Sequence, residues 1–147
     1  MIIILSGPPG SGKTTIAQRL VQELGDARMI SSDLFKGKVY ERISREVESR
    51  RGGERYLILD ATFYRKAYRD GIREIASKGE SVLTVFIDCP LEVCVERNRL
   101  RQSPIPENAV HIICRQFERP DDADIVINSG ETGVEEATRE ILKRIKK

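Results

Sequence analysis

Eight residues near the start of the chain, Gly7-Pro8-Pro9-Gly10-Ser11-Gly12-Lys13-Thr14, follow the pattern GxxxxGK[ST] between a short apolar run and a segment of helical period. The chemistry this spacing serves is phosphate binding. Glycines let backbone N–H groups converge on phosphate oxygens without a Cβ in the way, and the following helix adds its positive N-terminal end. Lys13 can reach a β- or γ-phosphate, and the Thr14 hydroxyl is a ligand for Mg²⁺. Pro9, Gly10, Ser11, Gly12, Lys13, Thr14 and Thr15 are therefore the candidate nucleotide-binding residues, with ATP and Mg²⁺ as the expected cofactors and Thr14 as the metal ligand. A glycine-rich turn with a chance lysine is the bland alternative, and the strand–loop–helix order argues against it.

Carboxylates that follow strands are the next candidates, because ligands of open parallel sheets bind beyond the C-terminal strand ends. Asp33, in Ile30-Ser31-Ser32-Asp33, could accept a proton from a hydroxyl as it attacks the γ-phosphate, or could cap a helix. Asp60 precedes Ala61-Thr62-Phe63-Tyr64-Arg65, a polar and aromatic cluster suited to an acceptor or a magnesium-bound water; capping is again the alternative. Asp88 precedes Cys89-Pro90, where proline fits a first helical turn, and reads as structural.

Transferred phosphoryl charge calls for fixed cations. Arg97 and Arg101 lie four apart on one helix face, just ahead of the loop 102–106. On a mobile lid they would close over ATP and exclude water; otherwise they belong to a solvated arginine face. His111, the one histidine, lies in an apolar run and reads as helix surface or core edge. Phe63, Tyr64 and Tyr68 have the spacing of packing residues, although each could stack on a base.

These residues need a frame. Runs 2–5, 56–59, 82–87 and 125–127 are short, nearly continuous and β-branched or aromatic, as buried strands are, and 28–31 supplies a fifth. Segments 13–24, 66–77, 91–101, 107–117 and 134–145 carry apolar residues three and four apart. Such alternation implies right-handed crossovers and parallel strands. The expected fold is α/β: a P-loop NTPase fold with a mostly parallel five-stranded sheet, helices on both faces and a short arginine-bearing lid at about 98–107. Segment 34–51 is polar and weakly periodic and reads as a helix exposed on the cleft side; 51–54 and 102–106 read as loops.

Composition bounds the rest. At 147 residues, 39% hydrophobic and 33% charged, one compact domain over 1–147 is expected, large enough to need no staple. A net charge of +2, from 25 basic and 23 acidic residues, is too balanced for a protein that coats nucleic acid by charge alone, so any basic site is local. Cys89, Cys94 and Cys114 show no paired spacing and read as reduced core thiols. The apolar opening is too short to span a bilayer, so neither membrane anchoring nor export is expected and the cytoplasm is the expected compartment. No Asn-Lys-x-Asp guanine signature or Asp-Glu pair after a strand occurs, which weakens GTPase and motor readings. Oligomeric state is not legible.

The ordered segments GPPGSGKTT at 7–15, SSDLFK at 31–36, LDATFYRKAYRD at 59–70, FIDCPLEVCVERNRLR at 86–101 and IPENAV at 105–110 resemble the kinase domain of archaeal seryl-tRNA(Sec) kinases and the 5′-kinase domain of phage-type polynucleotide kinases. That resemblance implies Asp33 as general base and Lys36 where these kinases place an arginine near the acceptor phosphate. Asp60 with Thr62 corresponds to an Asp-Thr-Asn segment that positions the acceptor hydroxyl, and the stretch from Arg97 to Arg101 corresponds to the ATP-clamping lid. Tyr64 and Arg65 complete the expected acceptor-side set. Two departures bear on the acceptor: lysine at 36 lacks a bidentate guanidinium, and Ala61-Thr62 stands for Thr-Asn. No appended tRNA-binding domain is expected after the last helical segment.

CPLEVCVER at 89–97 and FERPDDADIVIN at 117–128 also resemble adenylylsulfate kinase, although that family's Asp-Gly-Asp and Phe-Ile-Ser-Pro segments are replaced here. In either family the loop 128–132, beginning at Asn128, would border the adenine. The expected function is Mg²⁺-dependent transfer of the γ-phosphate of ATP to a hydroxyl, on RNA, a tRNA-borne group or another nucleic acid. A small-nucleotide kinase and a nucleotide-binding module without transferase activity are the alternatives.

Overall fold

In the computed structural model, which describes residues 1–50, 53–76 and 79–146, five strands alternate with helices. They are β1 (Ile2–Ser6), β2 (Ala27–Ser31), β3 (Tyr56–Asp60), β4 (Val82–Asp88) and β5 (Ile125–Asn128). The helices are α1 (Lys13–Leu24), α2 (Val39–Ser49), α3 (Lys66–Ala76), α4 (Leu91–Arg99), α5 (Glu107–Gln116) and α6 (Val134–Ile145), with one 3₁₀ turn at Ser32–Leu34. Residues 51 and 52 of the expected loop, and 77 at the end of the third expected helical segment, lie outside the described residues.

The strand order is β2-β3-β1-β4-β5, and every pairing is parallel. Strand β1 is buried along its whole length because both neighbours and both helical layers cover it. Ile3 and Leu5 face α1 and α6 through Ile16, Leu20 and Ile141, whereas Ile2 and Ile4 face α2 and α3 through Ile43, Val47 and Ile72. Burying one such side chain is worth roughly 1.5–3 kcal/mol, so this two-sided strand is the anchor of the sheet.

Segment 34–51 departs from expectation. Its helix begins only at Val39, after Gly37 and Lys38 in left-handed conformations, and it packs on α3 rather than lying exposed. Ile43 and Val47, four apart, supply the buried stripe that a mostly charged segment conceals. Among the described residues no helix is long and apolar enough to cross a membrane.

Candidate active site

Strand register brings the chemistry together. Ser31 pairs with Asp60 across β2 and β3, and Asp60 pairs with Leu5 across β3 and β1, so two polar strand ends stand beside the start of the glycine loop. The Gly7 N–H donates to Thr62 O at 3.1 Å and the Ser6 hydroxyl donates to the same oxygen at 2.8 Å, joining the loop after β1 to the loop after β3.

The loop is shaped as a phosphate cradle. Gly10 and Gly12 have φ of 83° and 94°, and a Cβ on Gly10 would lie 2.5 Å from Cys94 O. Lys13 begins α1 and is buried, with Pro8 O at 3.4 Å as the hydrogen-bond acceptor of its ammonium group. Burial pushes that ammonium below the ordinary lysine range, an effect the Asp60 carboxylate opposes. A buried cation so weakly partnered suits an incoming phosphate. Pro9 is buried within the loop and lines neither cavity described below.

Asp60 is 2% exposed, and its Oδ2 accepts from the Thr14 hydroxyl at 2.7 Å and from the Ser31 hydroxyl at 3.1 Å. Thr14, Asp60 and Ser31 thus form an oxygen-only donor set beside the phosphate cradle. Hard oxygen donors suit Mg²⁺, which keeps most of its waters and takes one or two protein ligands plus phosphate. Asp60, expected to hold an acceptor or a magnesium-bound water, thus lies against Thr14 and Ser31 beside the phosphate cradle.

A cleft of about 300 Å³ is lined by Gly10, Gly12, Lys13, Thr14 and Thr15 together with Asp33, Arg97 and Arg101. Asp33 sits in the 3₁₀ turn, whose first N–H groups are capped by the Ser31 hydroxyl, 3.3 Å from Asp33 N. Its carboxylate is exposed and stands 3.9 Å from an Arg101 nitrogen across the cleft. A second cavity, of about 480 Å³, adjoins the first through Gly12, Thr15 and Arg97 and is bounded by Ser129, Gly130 and Thr132. The two cavities therefore meet at the glycine loop.

Arg97 precedes the segment 98–107 expected as the lid. It lies on α4, and its guanidinium donates to Ser11 O at 3.2 Å, to the Ser129 hydroxyl at 3.2 Å and to Ser129 O at 2.7 Å. It ties the glycine loop to the loop after β5. The expected lid at 98–107 is a closed turn: Asn98, 1% exposed, donates to Ile105 O at 2.7 Å and accepts from Ile105 N at 3.1 Å, and Arg99 pairs with Glu107. Arg101 alone of the two arginines projects from this turn into the cleft.

The remaining expectations fare unevenly. Asn128 does not line the second cavity; its side-chain oxygen accepts from Gly130 N at 2.9 Å and shapes the loop that does. The Thr62 hydroxyl is already bonded to the Tyr40 hydroxyl at 2.7 Å, and Tyr64 packs edge-on against Tyr40 and Tyr68. The Arg65 guanidinium lies 5.3 Å over the Tyr64 ring, and Lys36 is exposed outside the cleft lining. Asp88 is structural, as expected: Arg119 holds its carboxyl below the usual range through bonds of 2.7 and 3.2 Å. His111 is exposed. Sequence reasoning missed Tyr40 and the bond from Ser31 to Asp60, and reached Ser129 only as part of the loop 128–132. Ser31 and Ser129 stand at or just after strand ends, which is the signal that could have found them.

The parallel sheet, the glycine cradle and the oxygen set define a P-loop kinase fold. The family model AAA_33, described as an AAA domain, matches residues 2–120, and the chain belongs to that family. It is 31% identical over 98 residues to human L-seryl-tRNA(Sec) kinase, covering 66% of this chain and 27% of that protein; for the mouse protein the figures are 35% over 66 residues, 44% and 18%. The chain thus spans about a quarter or less of these relatives. Adenylyl-sulfate kinase of Staphylococcus haemolyticus is 28% identical over 170 residues, covering 99% of this chain and 84% of that one. Among solved structures, Chaetomium thermophilum Kti12 in complex with ADP-AlF3 superposes with a TM-score of 0.80 at 18% identity, covering 99% and 97%. Mycobacterium tuberculosis APS kinase CysC with AMPPNP and APS gives 0.77 at 17%, covering 99% and 97%. At those identities the structural likeness speaks for the fold.

Proposed function

We propose that this protein is a kinase that moves the γ-phosphate of ATP to a hydroxyl carried by RNA, a tRNA-borne group or another nucleic acid. The observation that carries the reading is the convergence of Lys13, Thr14, Asp33 and Arg101 on one cleft beside the Thr14–Asp60 pair. Lys13 and the amides of residues 10–15 hold the phosphates. Thr14 and Asp60 are the residues that would hold Mg²⁺ and its waters, and the metal would supply positive charge to offset that of the phosphates. Asp33 accepts the proton of the acceptor hydroxyl as its oxygen bonds to the γ-phosphorus, the bond to the β-phosphate oxygen breaks, and ADP leaves. Arg101 leaves the Asp33 carboxylate for the transferring phosphoryl group, which frees Asp33 to act as base. Arg97 keeps the phosphate and nucleoside halves of the cleft aligned. Lys36, Thr62, Tyr64 and Arg65 border the acceptor side, Thr62 and Tyr64 chiefly through the Tyr40 cluster.

The second reading, a small-nucleotide kinase of the adenylylsulfate type, is favoured by the alignment that spans nearly the whole chain. A screen with γ-labelled ATP over RNA 5′ ends, charged tRNA, adenylyl sulfate and small alcohols separates the two. Label on RNA or charged tRNA supports the first reading, and label on adenylyl sulfate supports the second. ATP bound with no label moved to any acceptor leaves a nucleotide-binding module.

A further inference from the structure

The largest side chain that is completely buried belongs to a cation: Arg69 of α3, 1% exposed. Removing a guanidinium from water is costly unless fixed partners replace its hydration. Among the described residues no carboxylate forms an ion pair with it. Its partners are two main-chain carbonyls: one terminal nitrogen donates to Phe63 O at 2.6 Å and the other to Glu118 O at 2.8 Å, while Nε has no partner.

Those carbonyls belong to different parts of the molecule. Phe63 lies in the loop after Asp60 with φ of 48°, a left-handed conformation that a bulky residue rarely adopts unless its surroundings hold it there. The Tyr40 hydroxyl accepts from Phe63 N at 3.0 Å, so the kinked peptide is gripped on both its N–H and its carbonyl. One residue earlier, Thr62 O is bonded by Gly7 N, the first residue of the phosphate loop.

Glu118 belongs to the strap that leaves α5. Its N–H donates to Tyr64 O at 2.7 Å, and its carboxylate accepts from Lys66 N at 3.1 Å. The neighbours of Glu118 fasten the strap to β4: Phe117 packs on Phe86 at 5.4 Å, and Arg119 bonds Asp88. An unbroken series of bonds therefore runs from the strap behind α4 and α5, through Arg69, to the loop that borders the acceptor and to Gly7.

We propose that Arg69 is a positioning residue that makes the strap 117–119 and the loop 61–65 move as one unit, so that seating of α4 and α5 on a nucleotide orders the acceptor side of the cleft. This inference rests on the kinase reading above. Stability alone would not call for a guanidinium here, since apolar residues of similar volume commonly replace buried ions without loss. What arginine adds is a rigid pair of donor nitrogens at fixed spacing, one for each carbonyl; lysine has a single nitrogen on a flexible stem.

The test is hydrogen–deuterium exchange of residues 61–66 with and without Mg-AMPPNP, alongside AMPPNP titrations, for the wild type, Arg69→Met and Arg69→Lys. AMPPNP is expected to slow exchange about tenfold or more in the wild type and less than about twofold in Arg69→Met, with Arg69→Lys between them. Nucleotide affinity is expected to stay within about threefold in both variants, because Arg69 touches neither cavity lining. Should neither variant fold, Arg69→Gln keeps a neutral amide donor for one of the two carbonyls at most, and there the slowing is expected to shrink at least about twofold. A wild-type response in whichever of these variants folds overturns the inference. A wild-type protein that binds no Mg-AMPPNP overturns the kinase reading and this inference together, which is a different result.

Discussion

The Thr14 hydroxyl donates to the Asp60 carboxylate at 2.7 Å, joining the first turn of α1 to the end of β3 across 46 residues of sequence. A buried carboxylate in that place gives Thr14 a fixed orientation and, on the proposed reading, would give a divalent cation its charge partner. Asp60→Asn keeps an acceptor for the hydroxyl but loses the charge. ATP affinity without metal is expected to stay within about threefold, while the tightening that Mg²⁺ produces in the wild type, about tenfold or more, disappears. Calorimetric titration of ATP with and without Mg²⁺ reads both.

Lys13 gives a pH dependence with a definite sign. Burial holds its pKa below the ordinary lysine value of about 10.4, and the protonated form is the one that pairs with phosphate. Raising the pH through that lowered pKa removes the charge, so ATP affinity falls on the alkaline side earlier than an exposed lysine would cause. Asp60 supports the charge, so in Asp60→Asn the fall begins at still lower pH. Lys13→Met has low affinity at all pH values and lacks this step. Fluorescent-nucleotide titrations between about pH 7 and 10 follow the change.

The two arginines should separate binding from transfer. Arg97 bridges Ser11 and Ser129 with charge-assisted bonds, each worth about 1.5–3 kcal/mol, so Arg97→Ala is expected to weaken ATP binding roughly 10- to 100-fold. Arg97→Lys recovers little, because an ammonium cannot meet both partners. Arg101→Ala is expected to leave ATP affinity within about fivefold and to slow transfer about 100-fold or more. Equal effects of the two substitutions on affinity would contradict this division.

Gly10 and Gly37 offer a controlled comparison of backbone strain with close approach. Both have positive φ, but a Cβ on Gly10 would meet Cys94 O at 2.5 Å, whereas Gly37 has nothing within 4 Å. Gly37→Ala is expected to cost about 1–2 kcal/mol. Gly10→Ala adds a backbone clash and is expected to cost about 1–3 kcal/mol more and to disturb ATP binding. Thermal or denaturant unfolding ranks the two.

Much of the frame was legible because its signals are local. Periodicity places α1 and α6 at the limits the structure shows, and the five strands differ from their apolar runs by one residue at an end. The phosphate loop was legible for the same reason: its glycines, lysine and threonine are adjacent. Segment 34–51 was misread because two buried residues, Ile43 and Val47, carry the packing of a helix otherwise rich in charge. The bond from Arg97 to Ser129 was not legible because the two lie 32 residues apart, and no spacing reveals a bond made through tertiary contact. The bond between Thr62 and Tyr40, 22 residues distant, was hidden in the same manner. Asn128 was one residue from the cavity because strand β5 extends through it, leaving Ser129 as the first lining residue.

Transfer of label from γ-labelled ATP by the wild type and by Asp33→Asn, over a mixture of RNA ends, charged tRNA, adenylyl sulfate and small alcohols, tests the reaction itself. The account predicts that the wild type moves label to a hydroxyl acceptor and that Asp33→Asn, with ATP still bound, does so about 100-fold or more slowly. Bound ATP whose label never leaves for any acceptor, or an Asp33→Asn protein as fast as the wild type, would contradict it.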